Sequence, residues 1–247
     1  DAQFHRTMSA NGSVLENAAV AERGAALLGA AAVLIWNDVA AEGREEFYRW
    51  HDREHVPERL ALPGFRRGRR FVRPEHSPEW FTMYEAADVA VFVSPQYLAR
   101  LNAPTPATVS ALKHFRNTSR AVCRLVHSVG SSTGGHLLAL RLSVPAAQAE
   151  GLCRDLRERA FPQAARLTGV VACHLYAADE SASFVRTAES GTRDFDVPGW
   201  VVLCEASRMD AATGAAAIVE AEFDRLGVEM RDAGVYALEI CRLAARD

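Results

Sequence analysis

The chain has 247 residues, 49% of them hydrophobic, and carries 28 Lys and Arg against 31 Asp and Glu for a net charge of −3. That is ample apolar material for one large or two small packed cores, and the charge balance excludes a global positive field able to hold nucleic acid or an anionic membrane. Five scattered cysteines, Cys123, Cys153, Cys173, Cys204 and Cys241, never reach zinc-cluster spacing and point to a reducing, cytoplasmic setting.

In chain order, residues 1–13 read as a cloning remnant or frayed terminus within an N-terminal extension of residues 1–28. The apolar stretch from Ala25 to Trp36 is too short to span a bilayer, and it predicts a helix end followed by a buried strand. No membrane or targeting segment is expected. Hydrophobic periodicity then predicts a strand over 31–37, a helix over 43–59, strands over 68–73 and 80–86, a helix over 95–113 and a strand over 119–127. Ser128 to Gly135 reads as a linker. The order then recurs: strand 136–143, helix 145–165, strands 172–178 and 199–207, helix 211–233, strand 236–243.

The recurrence is also visible residue by residue. Pro57 and Gly64 lie 105 positions before Pro162 and Gly169. The strand Trp80 to Ala86, ending Glu-Ala, lies 120 positions before Trp200 to Ala206, which also ends Glu-Ala; the longer offset marks an insertion around Ser181 to Pro198. Two βαββαβ units follow, residues 29–130 and 131–247. The expected fold class is α+β: two tandem ferredoxin-like repeats forming a pseudo-dimeric α/β barrel, each copy covering the sheet face that the other leaves bare. A further homodimer is compatible with this plan.

Titratable residues concentrate between Phe47 and Phe65. On a helix, His51, His55 and Arg59 share one face, flanked by Phe47 and Trp50, and Pro57 is expected to bend or interrupt the helix beside His55. An imidazole can serve as acid or base near neutral pH, which makes His55, His51 and, as orienting carboxylate, Asp52 the candidate catalytic set. Arg59 is the candidate anion clamp. Trp50, Trp36, Tyr84, His114 and Asn117 are candidate walls of the same small-molecule site, with Trp80 and Phe81 as neighbouring strand aromatics. The second repeat has Leu156, Arg157, Ala160 and Ala164 opposite His51, Asp52, His55 and Arg59, so one site per chain is expected.

The run Trp50-His-Asp-Arg-Glu-His-Val-Pro-Glu-Arg-Leu-Ala-Leu-Pro-Gly-Phe65, the Arg-Arg-Phe at 69–71, Tyr84-Glu-Ala86 and Ser94-Pro-Gln-Tyr97 resemble the dimeric α/β-barrel superfamily, which includes EthD-like proteins, muconolactone-type isomerases, polyketide cyclases and cofactor-free monooxygenases. The resemblance implies a pocket between sheet and helices with a histidine near His55 facing it. The expected activity is a cofactor-independent isomerase, cyclase or lyase acting on a small aromatic or unsaturated carbonyl compound. Two other readings stay open. Some duplicated ferredoxin-like proteins, chlorite dismutases among them, bind haem through a histidine, for which His114, His127 or His174 would serve; a non-catalytic, stress-responsive ligand-binding barrel is the second. His51 to His55 also spells H-x-x-E-H, but Val56-Pro57 disturbs the helix that a zinc peptidase needs, and no metal is expected.

Overall fold

The computed structural model describes residues 26–192 and 195–245. The predicted N-terminal remnant lies outside them, as does all but the end of the predicted extension. Hydrogen-bonded neighbours run β1-β3-β2-β8-β5-β7-β6-β4, and this order closes on itself as a barrel of eight strands. No helix among the described residues is long and apolar enough to cross a membrane. The chain forms two compact units.

The N-terminal unit comprises residues 28–124 with 178–192, 195–198 and 236–245. Its elements are β1 (Ala31–Val39), helix α1 (Arg44–Trp50), a widened π-helical turn (His51–His55), α2 (Val56–Leu60), β2 (Phe65–Val72), β3 (Trp80–Ala86), α3 (Pro95–Asn102), α4 (Pro106–Leu112) and the first part of β4 (Phe115–Gly130). All seven residues of β3 are buried, since it is hydrogen-bonded on both sides, to β1 and to β2. The predicted helix over 95–113 is two helices. Pro104 and Pro106 flank Thr105, whose hydroxyl caps α4 by accepting from Thr108 N at 3.1 Å.

The other unit comprises residues 26–27, 125–177 and 199–235 among those described. It holds β5 (His136–Ser143), α5 (Ala146–Asp155), a second π-helical turn (Leu156–Ala160), α6 (Phe161–Ala164), β6 (Val170–Ala178), β7 (Trp200–Ala206), α8 (Met209–Leu226) and the start of β8 (Glu229–Leu243); the short α7 (Glu180–Ser183), which follows β6 in sequence, belongs to the N-terminal unit. Helix α8 stops seven residues short of its predicted end, because Gly227 takes a left-handed φ of 64° that terminates it and releases the chain into β8. Leu138, Leu152, Leu156, Phe161, Leu175 and Val202 belong to one apolar core that fills the space beneath these helices.

The internal repeat extends to backbone irregularities. Pro57 is expected to bend or interrupt its helix; the helix continues through it by widening. Val56 N–H bonds to His51 O five residues back, and at the matching place Phe161 N–H bonds to Leu156 O, one residue before Pro162. A proline lacks the donor that a regular turn needs, and the wider turn absorbs the defect. Gly64 and Gly169 both adopt positive φ, 89° and 103°. Each is followed by the same slip in strand register, between Phe65 and Arg67 and between Val170 and Ala172. Even the buried glutamates match: Glu85 accepts Leu28 N at 2.8 Å and Glu205 accepts Gly134 N at 2.9 Å.

Candidate functional site

A cavity of about 50 Å³ lies inside the N-terminal unit, between the sheet and the α1–α2 helix. Strand parity builds its floor. Val33, Ile35 and Asn37 of β1 and Thr82 and Tyr84 of β3 face the helices, while the alternate residues face away. The helix supplies Phe47, Trp50, His51, His55 and Arg59 as its opposite wall. The widened turn brings the two imidazoles close together, their rings stacked with centroids 5.6 Å apart, and sets Trp50 4.3 Å from His55.

His51 is only 4% exposed and is held from both sides. Arg70 Nη1 lies 2.9 Å from its Nδ1, and Tyr84 Oη lies 3.3 Å from its Nε2. A guanidinium can only donate, so Nδ1 must accept and the ring proton sits on Nε2, where it donates to the Tyr84 oxygen. Burial, and next the neighbouring Arg70 charge, holds the His51 pKa well below the usual histidine value. The ring is therefore neutral and of fixed tautomer. Burial likewise raises Tyr84 well above the ordinary phenol range, so its hydroxyl stays protonated and, with its oxygen occupied by His51, has its own O–H to donate.

Arg70 is fixed in turn by Asp52 Oδ1 at 2.6 Å and Glu239 Oε2 at 2.7 Å, with its guanidinium over the rings of Phe47 and Tyr48. At the other end Arg59, 3% exposed, pairs with Glu189 Oε1 at 2.5 Å and Glu58 Oε2 at 3.3 Å and sits over the Tyr97 ring.

Of the residues singled out from sequence, His55, His51, Arg59, Trp50 and Tyr84 line this cavity. Four do not. Asp52 is turned outward, reaching the site only through Arg70. Trp36 has the wrong strand parity and packs on Phe81 at 4.8 Å across the other face of the sheet. His114 follows α4 and lies 3.4 Å from Glu46. Asn117 takes a left-handed φ of 48° on the surface and donates to Asp38 Oδ2 at 2.8 Å. Sequence reasoning missed Arg70, Tyr97, Arg120 and Glu189. The signal for Arg70 was present, since alternation in a strand with four arginines, Phe65 to Val72, cannot leave all of them in solvent, and Arg67, Arg69 and Arg70 are buried; Glu189 comes from the distant insertion and leaves no local trace.

The H-x-x-E-H segment does not assemble a metal site: Arg70 occupies His51 Nδ1 and Glu54 accepts from Thr105. Among the described residues no cluster of His, Cys, Asp and Glu is arranged to hold a metal ion. Haem fits no better. None of the three candidate histidines, His114, His127 and His174, lines the cavity. His127 stacks on Phe161 with centroids 6.0 Å apart. His174 is fully buried, with Ser128 Oγ 2.8 Å from Nδ1 and Glu205 Oε1 3.4 Å from Nε2.

No family model and no curated protein matches the chain. Solved structures do. An anthrone oxidase-like protein superposes with a TM-score of 0.63 at 10% identity, covering 87% of this chain and 93% of its own. A candidate monooxygenase from Lactobacillus acidophilus NCFM gives 0.51 at 10% identity, over 87% and 96% of the two chains. A candidate chlorite dismutase gives 0.51 at 10% identity, over 85% and 94%. The likeness is one of fold, the duplicated α+β barrel that the internal repeat predicts. In this barrel the cavity of the N-terminal unit keeps its polar lining, whereas the matching positions of the other repeat, Leu156, Ala160 and Ala164, are fully buried apolar residues.

Proposed function

We propose that the protein is an enzyme that moves a proton on a small aromatic or unsaturated carbonyl compound without a bound cofactor. The observation that carries this reading is the buried chain Arg70–His51–Tyr84, which ends with a phenol donor at the cavity wall. Such a donor, fixed in place and shielded from water, stabilises negative charge developing on a carbonyl oxygen.

In this mechanism the carbonyl oxygen of the substrate accepts from Tyr84 O–H. His55, which lines the same cavity, takes a proton through a ring nitrogen from a carbon conjugated with that carbonyl. The electron pair of that C–H bond becomes the enolate, whose oxygen remains on Tyr84. Return of the proton to a different carbon completes an isomerisation and restores neutral His55. His51 is thus a positioning residue, since its lone pair is committed to Arg70.

One solved neighbour is named anthrone oxidase-like, and anthrone, an aromatic ketone, is a suitable probe. Its C–H exchange in deuterium oxide, followed by NMR, should run faster with the protein than in buffer, and His55→Ala should slow it by about 10²-fold or more. A wild-type protein that binds anthrone without accelerating exchange would be a ligand-binding barrel instead. Absorbance of the purified protein near the Soret region tests the haem reading in the same preparation.

A further inference from the structure

The cavity is too small for the substrate class just proposed, and its immediate surroundings indicate how it enlarges. A second cavity, of about 40 Å³, adjoins it in the same unit. Leu101, Arg120 and Glu189 line both and so form their common wall. The far side of the second cavity includes Phe92, Leu98, Ala182 and Thr187.

Glu189 belongs to the insertion between β6 and β7, a strap attached to the N-terminal unit along its length. Asp179 N bonds to Val122 O at 2.8 Å, Arg120 N to Asp196 O at 2.8 Å, and Glu189 N to Leu101 O at 3.1 Å. The strap thereby delivers a carboxylate into a cavity formed almost wholly by the other repeat. That carboxylate lies on Arg59, a guanidinium almost completely removed from water. Arg120 stands nearby on β4, opposite Ile35 in the sheet register and so on the helix-facing side. Its guanidinium makes only two long contacts, 3.5 Å to Ser183 O and 3.5 Å to Tyr97 Oη, and among the described residues no carboxylate pairs with it. Two arginines therefore border one space, one neutralised by the protein's own glutamate and the other lacking an anionic partner.

We propose that the ligand carries a carboxylate that displaces Glu189 from Arg59 and also engages Arg120, joining the two cavities into one site for an aromatic acid. Glu189 occupies the position of the ligand's own acidic group. This inference rests on the preceding functional reading for the aromatic carbonyl portion of the ligand, but its test reads binding and not turnover. The exchange is balanced in charge, one carboxylate replacing another. The ligand adds ring burial against Leu101, Tyr97 and Phe92, and Glu189, whose side chain is already 12% exposed, moves out to water.

The probes are 2-naphthoate and its neutral counterpart 2-naphthalenemethanol, titrated into the purified full chain and followed by quenching of Trp50, which lines the cavity. Glu189→Gln removes the internal competitor and should tighten naphthoate binding by about tenfold or more, with no matching gain for the alcohol. Arg120→Met should weaken naphthoate by about tenfold and leave the alcohol unchanged. Should Arg120→Met fail to fold, Arg120→Lys keeps the charge without the fork and should give an intermediate affinity. Equal response of the two probes in the variants overturns the carboxylate site. If that happens while His55→Ala still abolishes anthrone exchange, the proton-transfer reading stands alone; if naphthoate behaves as expected while His55→Ala exchanges normally, the anion site stands and the base is wrong.

Discussion

His51 accepts a hydrogen bond from Arg70, 2.9 Å from its Nδ1, inside a protein interior that leaves the imidazole no route to a second proton. This relationship predicts a pH dependence of stability. The folded-state pKa lies well below the unfolded value of about 6.5, so below that pH the unfolded chain binds the extra proton. The stability that His51 contributes is therefore complete above pH 6.5 and is lost as pH falls toward the depressed folded pKa, by about 1.4 kcal/mol for each pH unit in that window. Thermal melts between pH 7 and 5.5 should show this slope. His51→Asn keeps a carbonyl acceptor for Arg70 without titrating, and its melts should be flatter over that range; an unchanged slope would assign the acid sensitivity to another group.

Tyr84→Phe keeps the ring in the core and removes only the donor. Loss of one preorganised donor to a developing oxyanion should lower kcat by about 10²–10³-fold with KM changed far less. Steady-state kinetics of anthrone exchange measures the split, and a variant with full kcat would remove the phenol from the proposed mechanism.

Gly64 and Gly169 should behave alike on substitution. An added Cβ would meet Val91 Cγ2 at 2.4 Å in the first case and Ala211 Cβ at 2.9 Å in the second, and both backbones sit at positive φ. Alanine at either position should cost about 1–3 kcal/mol, which for a chain of this size lowers Tm by several degrees, about 2–4 °C per kcal/mol. Calorimetry of the two variants checks the equivalence, and a neutral Gly169→Ala would break it.

Leu156 and His51 occupy matching positions, but His51 lines a cavity and Leu156 belongs to a buried apolar core. Leu156→Ala leaves a hole in a filled core and should destabilise the protein by about 2–5 kcal/mol. Exchange activity per folded molecule should be unaffected. Denaturant unfolding alongside the anthrone assay separates these two readouts.

Much of the architecture could be read from sequence, because a duplicated pattern tests itself. Strands at 80–86 and 136–143 have the bounds expected of them, and the proline and glycine landmarks fall on matching irregularities in both repeats. What failed was local. Proline spacing within 103–106 divides a helix that hydrophobic periodicity runs together, and Gly227 ends α8 where periodicity continues it. The helix-borne part of the site was legible because His51, His55 and Arg59 share a face. Trp36 was misplaced because alternation along a strand gives two faces without saying which one the helices cover. Arg120 and Glu189 depend on tertiary assembly, the first through strand register and the second through an insertion that leaves its own repeat.

The widened turn occurs in both halves, yet only one of them has imidazoles on it. A distortion that persists where Leu156 and Ala160 do no chemistry is a requirement of Pro162, just as its counterpart is a requirement of Pro57. Geometry of this kind is available before any reaction uses it. The extra residue in the turn rotates whatever side chains stand there toward the sheet, so polar substitutions at 156 and 160 would inherit an inward aim that an ordinary helix does not provide. The half of the barrel without imidazoles is, in that sense, a blank mould of the other.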